Sequence, residues 1–184
     1  MNKACFLDRD GVINEEVCYL SDPEGVILVP GIADGIKLAR EAGYLIVVIT
    51  NQAGVARGFY SEDCIPLVHA EIQRQLALQN TKIDAFYHCP HHPEYSGACD
   101  CRKPKPGMLF AAARDLDIDL SKSFIIGDRL SDLDAGVNAG LCAQFLVQTG
   151  YGAELVANGA AAGRRIAKTP FDAITAFLKE STTN

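Results

Sequence analysis

Four polar clusters and one cysteine-rich loop hold the residues that could do chemistry. Asp8-Arg9-Asp10-Gly11 sets two carboxylates at i and i+2. Leaving a strand end toward one ligand, they would repel each other unless a cation sat between them. Thr50-Asn51-Gln52 follows an apolar run and offers a hydroxyl and backbone N–H groups, donors that suit a phosphate oxygen. Arg102-Lys103-Pro104-Lys105-Pro106 brings cations to a candidate helix start, where an anion is favoured. Gly127-Asp128-Arg129-Leu130-Ser131-Asp132 follows another apolar run, and hard divalent cations take such carboxylate oxygens. The loop reads Cys89-Pro90-His91, seven residues, then Cys99-Asp100-Cys101. Its three thiolates and one imidazole suit tetrahedral zinc, and a full set of four leaves no place for water, so the ion would be structural. His88 and His92 are rival imidazoles that the spacing does not separate from His91.

Each of the first four clusters has an ordinary explanation: an acidic turn, a polar turn, a solvated basic loop, an N-capping acid. What sets them apart is placement. Each follows an apolar segment, in the order acid pair, hydroxyl, lysine, acid. The segments that must position them alternate in type. Strands are predicted at residues 3–7, 44–50, 83–88, 123–127 and 142–147. Helices are predicted at 31–42, 61–79, 106–116, 131–139 and 170–180. Ser61 is a candidate N-cap, Pro66 calls for a kink or a late start, and Pro106 suits a first helical position. Strands alternating with helices imply an α/β fold, a parallel sheet with helices on both faces. In such sheets ligands bind at the carboxyl ends of the strands, where these clusters fall.

The chain has 184 residues, enough for a single domain spanning 1–184. Its net charge of −6 argues against nucleic acid as a partner, since phosphate contacts need a basic face. No apolar stretch reaches the ~18 residues of a membrane span. Met1-Asn2-Lys3 does not begin a signal peptide, so a cytoplasmic protein without membrane association, acting as a monomer, is expected. Seven cysteines, an odd number, argue against a disulfide framework. Cys5, Cys64 and Cys142 lie in apolar surroundings and are expected in the core. Cys18 falls in a loop without an obvious partner.

The joint pattern resembles the haloacid dehalogenase-type phosphatases over nearly the whole chain. Asp8-Arg9-Asp10-Gly11-Val12 is similar to their first motif, Thr50 to the second, the lysine before a helix to the third, and Gly127 to Asp132 to the fourth. Val12 stands where many members have Thr, a hydroxyl with no catalytic part. Residues 7–14, 50–58, 89–101 and 101–108 carry a narrower likeness to the sugar bisphosphatases that act on heptose 1,7-bisphosphate and to histidinol-phosphate phosphatases. Residues 55–58 (VARG) favour the former. A nucleic-acid 3′-phosphatase shares a similar TNQxG run, against which the acidic charge and the cysteine loop count.

The resemblance implies a Mg²⁺-dependent phosphatase of the carbohydrate pathway that supplies lipopolysaccharide heptose. Asp8 would be the nucleophile and Asp10 the acid and base. Thr50 and Lys103 would bind the phosphoryl oxygens, Lys103 rather than Lys105 because it follows a Cys-Arg pair. Asp8, the Asp10 carbonyl and Asp128 would hold Mg²⁺, and Asp132 would orient a metal-bound water. Asp10 would need a proton at neutral pH, expected from its acidic neighbours. For zinc the likeness selects His91 with Cys89, Cys99 and Cys101. About 40 residues separate Asp8 from Thr50 and about 50 separate Thr50 from Lys103, too few for a folded cap of ~50–100 residues. Loops would then give specificity through Glu16, Tyr19, Asn51, Gln52, Ala53, Arg57, Arg102 and Arg129, the arginines suiting a second phosphate on a small sugar bisphosphate.

Overall fold

The computed structural model describes residues 1–181. Six parallel strands form one sheet in the order β3-β2-β1-β4-β5-β6. They are β1 (Lys3–Leu7), β2 (Tyr44–Asn51), β3 (Ala85–Cys89), β4 (Phe124–Gly127), β5 (Ala143–Val147) and β6 (Arg165–Ala167). Seven helices accompany them: α1 (Ile32–Glu41), α2 (Cys64–Leu78), α3 (Pro93–Ser96), α4 (Gly107–Leu116), α5 (Leu130–Ala139), α6 (Gly152–Ala157) and α7 (Pro170–Ser181). Among the described residues no helix is long and apolar enough to cross a membrane.

Successive strand residues face opposite sides, and both sides are apolar, as a covered parallel sheet requires. Cys5, Leu7, Ile46, Val48, Phe124 and Ile126 pack with Ile32 and Ile36 of α1, Val68, Ile72 and Leu76 of α2, and Ile174 and Phe177 of α7. Ala4, Phe6, Val47, Ile49 and Ile125 pack with Met108, Leu109 and Ala112 of α4 and Ala135 of α5. The strand order turns back between β1 and β4, a switch point at which the loops part and leave a crevice.

Several boundaries depart from the sequence expectation. Helix α2 starts late, at Cys64 after Asp63, rather than at Ser61, and Pro66 falls in its first turn, where no backbone donor is missed. Pro106 precedes the first residue of α4 instead of occupying it. Cys64 is only half-buried and Cys142 is exposed, so neither is a core residue as Cys5 is. Cys142 sits just before β5, where its thiol donates to the Ser123 carbonyl at 3.1 Å.

Helix α2 also buries an imidazole. His69 stacks on Phe86 with ring centroids 4.3 Å apart. Burial, then the nearby Arg9 cation, pushes its pKa down from 6.5 to about 3. The unfolded chain therefore takes up a proton that the folded chain refuses, and stability should fall as pH drops from about 6.5 toward 3. The slope is up to about 1.4 kcal/mol per pH unit. Urea unfolding of wild type and His69→Leu at pH 7 and pH 5 should show the smaller acid loss in the variant. Equal losses would reject this account.

Candidate active site

The crevice at the switch point collects side chains from three strand ends and one loop. Asp8 follows β1, Thr50 is the last residue but one of β2, Lys103 stands in the loop before α4, and Asp128 follows β4. Lys103 Nζ lies 2.7 Å from Asp8 Oδ1 and 2.7 Å from Asp132 Oδ1. It also donates to the Ile49 carbonyl at 2.8 Å. Lys105, the alternative lysine, instead pairs with Asp100 on the surface. Asn51 fixes the Lys103 backbone reciprocally: its Oδ1 accepts from Lys103 N, and its Nδ2 donates to Lys103 O, each at 3.1 Å.

The electrostatics favour a further cation. Carboxylate oxygens of Asp8, Asp128 and Asp132 lie within 4.8 Å of one another, all three residues buried. Three carboxylates against one ammonium leave two negative charges when all are ionised. Burial, then the Asp132 and Asp10 carboxylates, push Asp8 up to about 7 against the pull of Lys103. Burial, then Asp8 and Asp132, push Asp128 up to about 8. Burial opposes the charge on Lys103, yet Asp132 and Asp8 outweigh it and hold the ammonium above its usual range.

Asp128 Oδ2 accepts from Tyr151 N at 2.8 Å, while its buried Oδ1 meets no donor. The carboxylate occupies a slot between Gly11 and Gly150, where a Cβ on either glycine would collide with Oδ2. Both glycines have positive φ, so a side chain is excluded on two counts. A buried carboxylate with a bare oxygen beside Asp8 fits a divalent cation with oxygen ligands.

Donors surround Asp10 as well as acids. Its carboxylate accepts from Arg9 Nε at 3.1 Å, Arg9 Nη2 at 2.9 Å, Asn14 Nδ2 at 3.0 Å and Gln52 Nε2 at 2.9 Å. Burial, more than any neighbouring charge, raises the carboxyls of Asp8, Asp128 and Glu16.

The open part of the crevice has a volume of about 480 Å³. Asp8, Asp10, Thr50, Lys103 and Asp132 line its floor, and Glu16, Tyr19, Asn51, Gln52, Ala53, Arg57, Arg102 and Arg129 line its walls. Asp128 is fully buried beneath it. The walls also include Leu20, Tyr60, His92 and Tyr151, none of them a substrate contact that the sequence marks. Tyr151 supports Arg129, whose guanidinium lies 3.6 Å from the ring centroid. No spacing signal marks Tyr60 or Tyr151; each reaches the crevice through a loop.

The cysteine loop closes into a compact cluster. Sγ of Cys101 lies 3.0 Å from Cys89 Sγ, 3.4 Å from Cys99 Sγ and 3.4 Å from His91 Nδ1. Cys89 Sγ lies 3.6 Å from Cys99 Sγ and 3.7 Å from His91 Nδ1. Four such atoms approach the edges of a zinc–thiolate tetrahedron, ~3.8 Å for Zn–S bonds of ~2.3 Å. The rival imidazoles face elsewhere: His88 meets Glu62, and His92 meets Arg57 and the Glu94 amide. Arg102 Nη1 donates to the His91 carbonyl at 3.1 Å, so the cluster braces the segment that carries Lys103.

Carboxylates at adjoining strand ends, a hydroxyl and a buried lysine over a parallel sheet define the architecture of a haloacid dehalogenase-type hydrolase. A family model described as HAD-hydrolase-like matches residues 100–171. The chain is 42% identical to a D-glycero-beta-D-manno-heptose-1,7-bisphosphate 7-phosphatase of Haemophilus influenzae, over 82% of this chain and 84% of that protein. It is 44% identical to a D-glycero-alpha-D-manno-heptose-1,7-bisphosphate 7-phosphatase of Photorhabdus laumondii, over 81% of this chain and 84% of that one. A crystal structure of the D,D-heptose 1,7-bisphosphate phosphatase from B. bronchiseptica, complexed with magnesium and phosphate, superposes with a TM-score of 0.86 at 37% identity. That match covers 97% of this chain and 99% of the other. The chain belongs to the family of D-glycero-D-manno-heptose-1,7-bisphosphate 7-phosphatases, phosphatases of the haloacid dehalogenase type.

Proposed function

We propose that the protein hydrolyses the C7 phosphate of D-glycero-D-manno-heptose 1,7-bisphosphate through a phosphorylated Asp8. The observation that carries this is the Asp8–Lys103–Asp132 group beside the bare Asp128 oxygen, at the switch point of the sheet. Asp8, Asp128 and the Asp10 carbonyl would hold Mg²⁺, which supplies charge neutralisation between carboxylate and phosphate. Cys89, His91, Cys99 and Cys101 would hold a structural Zn²⁺.

Asp8 attacks phosphorus, and the bond to the sugar oxygen breaks as Asp10 gives that oxygen a proton. Water then attacks the acyl phosphate and Asp10 takes its proton, which frees phosphate and restores the Asp8 carboxylate. Thr50 and Lys103 donate to the non-bridging oxygens, where charge develops. Asp132, which accepts from Arg129 N at 3.0 Å, pairs with Lys103 and would orient a metal-bound water. Glu16, Tyr19, Asn51, Gln52, Ala53, Arg57, Arg102 and Arg129 shape the sugar site within one cap-free domain. The enzyme is proposed to act as a cytoplasmic monomer.

The remote C1 phosphate would lie toward Arg57, Arg102 or Arg129, each contact worth roughly 1.5–3 kcal/mol. Arg102→Ala and Arg129→Ala are therefore expected to lower kcat/KM for the bisphosphate by about 10- to 100-fold. Phosphate release should be compared for both anomers of the bisphosphate, the 7-monophosphate and histidinol phosphate. Equal wild-type values for bisphosphate and monophosphate would mean that nothing reads the second phosphate. A higher value for histidinol phosphate would move the assignment to that substrate.

A further inference from the structure

Arg9 is only 1% exposed, and the phosphoryl chemistry above makes no use of it. A guanidinium cannot shed its charge, so burial must be offset by partners. Arg9 finds them in Asp10 and in Gln52, whose Oε1 accepts from Arg9 Nη2 at 3.1 Å. The same Oε1 accepts from the Tyr60 hydroxyl at 2.7 Å. The other end of the amide donates to Asp10 Oδ2 at 2.9 Å and to Thr50 Oγ1 at 2.8 Å.

Two donors meet the amide oxygen and two acceptors meet its nitrogen, so all four hydrogen-bonding places are filled. Turned over, the amide would set its oxygen against the Asp10 carboxylate and its N–H groups against a guanidinium. Arg9 and Tyr60 thereby decide which way Gln52 faces. That orientation has two effects. Thr50 Oγ1 accepts from Gln52, which leaves its own hydrogen free for a phosphate oxygen. Asp10 is seated by Arg9 on both oxygens, by Gln52 on Oδ2 and by Asn14 on Oδ1.

We propose that Arg9 and Tyr60 are positioning residues for phosphoryl transfer: both aim the Thr50 hydroxyl and seat the Asp10 carboxyl through the Gln52 amide, and Arg9 also holds that carboxyl directly. This rests on the roles given above to Thr50 and Asp10, and is independent of the heptose substrate. The test compares kcat/KM for a primary alkyl phosphate, glucose 6-phosphate, with that for 4-nitrophenyl phosphate, in wild type, Arg9→Lys, Tyr60→Phe and Asp10→Asn. An alkoxide needs a proton to leave, whereas nitrophenolate does not. Mispositioning of Asp10 should therefore lower the alkyl-to-aryl ratio by about 10-fold or more. A loss of packing alone would lower both values together. Tyr60→Phe removes one hydroxyl and carries the test if Arg9→Lys fails to fold. The proposal is overturned if Asp10→Asn shifts the ratio and both Tyr60→Phe and folded Arg9→Lys leave it at the wild-type value. If Asp10→Asn itself leaves the ratio unmoved, the role of Asp10 has failed, and the positioning proposal with it.

Discussion

Asp8→Asn is expected to lose at least about 10⁴-fold in kcat, because no other group replaces the attacking oxygen. Stability should move the other way. Burial and the neighbouring carboxylates already push Asp8 up to about 7, so ionising it is costly in the folded protein. An amide of the same shape removes that charge and keeps an oxygen for Lys103 Nζ, which lies 2.7 Å away. The melting temperature without added metal should therefore be unchanged or higher. Steady-state phosphate release beside a thermal melt checks both halves. A variant that keeps most of its kcat would refute the covalent route. A large drop in melting temperature would mean that the lost activity is only lost structure.

The second large effect is expected at the cysteine cluster. Cys101 lies within 3.4 Å of the other three ligand atoms and directly precedes Arg102. Cys101→Ser should remove zinc from the purified protein and destabilise it by roughly 4–5 kcal/mol, the range for loss of a structural metal. Arg102 is tied to the His91 carbonyl, so its loosening should raise KM, and the shift of Lys103 should lower kcat. Elemental analysis, a thermal melt and steady-state kinetics report these in turn. Wild-type protein purified without chelator and free of zinc would reject the metal assignment.

The parts of the fold legible in the sequence are those where one physical signal dominates. Tyr44–Asn51 is a long β-branched run and is the strand expected there. Arg165–Ala167 has no such signal, because three residues, two of them exposed, carry no pattern; only pairing with β5 makes them a strand. Three of the four clusters are legible because each directly follows or ends a strand, whereas nothing local marks Arg9, which lies between two aspartates. Its burial depends on Gln52, 43 positions away, and no local pattern encodes that. The same holds for Asp10, whose contact with Gln52 spans 42 positions. Cys64 and Cys142 were misplaced because apolar neighbours along the chain do not decide on which side of an element's end a residue emerges.

The strand order has a kinetic corollary. Parallel β1 and β4 are neighbours in the sheet although Leu7 pairs with Ile126, more than a hundred residues on. Such a pairing closes a long loop and is slow to form. Asp8 and Asp128 stand at the ends of those two strands, so a half-folded chain holding only β1, β2 and β3 has no complete set of oxygens. A divalent cation taken up there stabilises the closed sheet and none of its precursors. Added Mg²⁺ should accordingly slow unfolding far more than it speeds refolding.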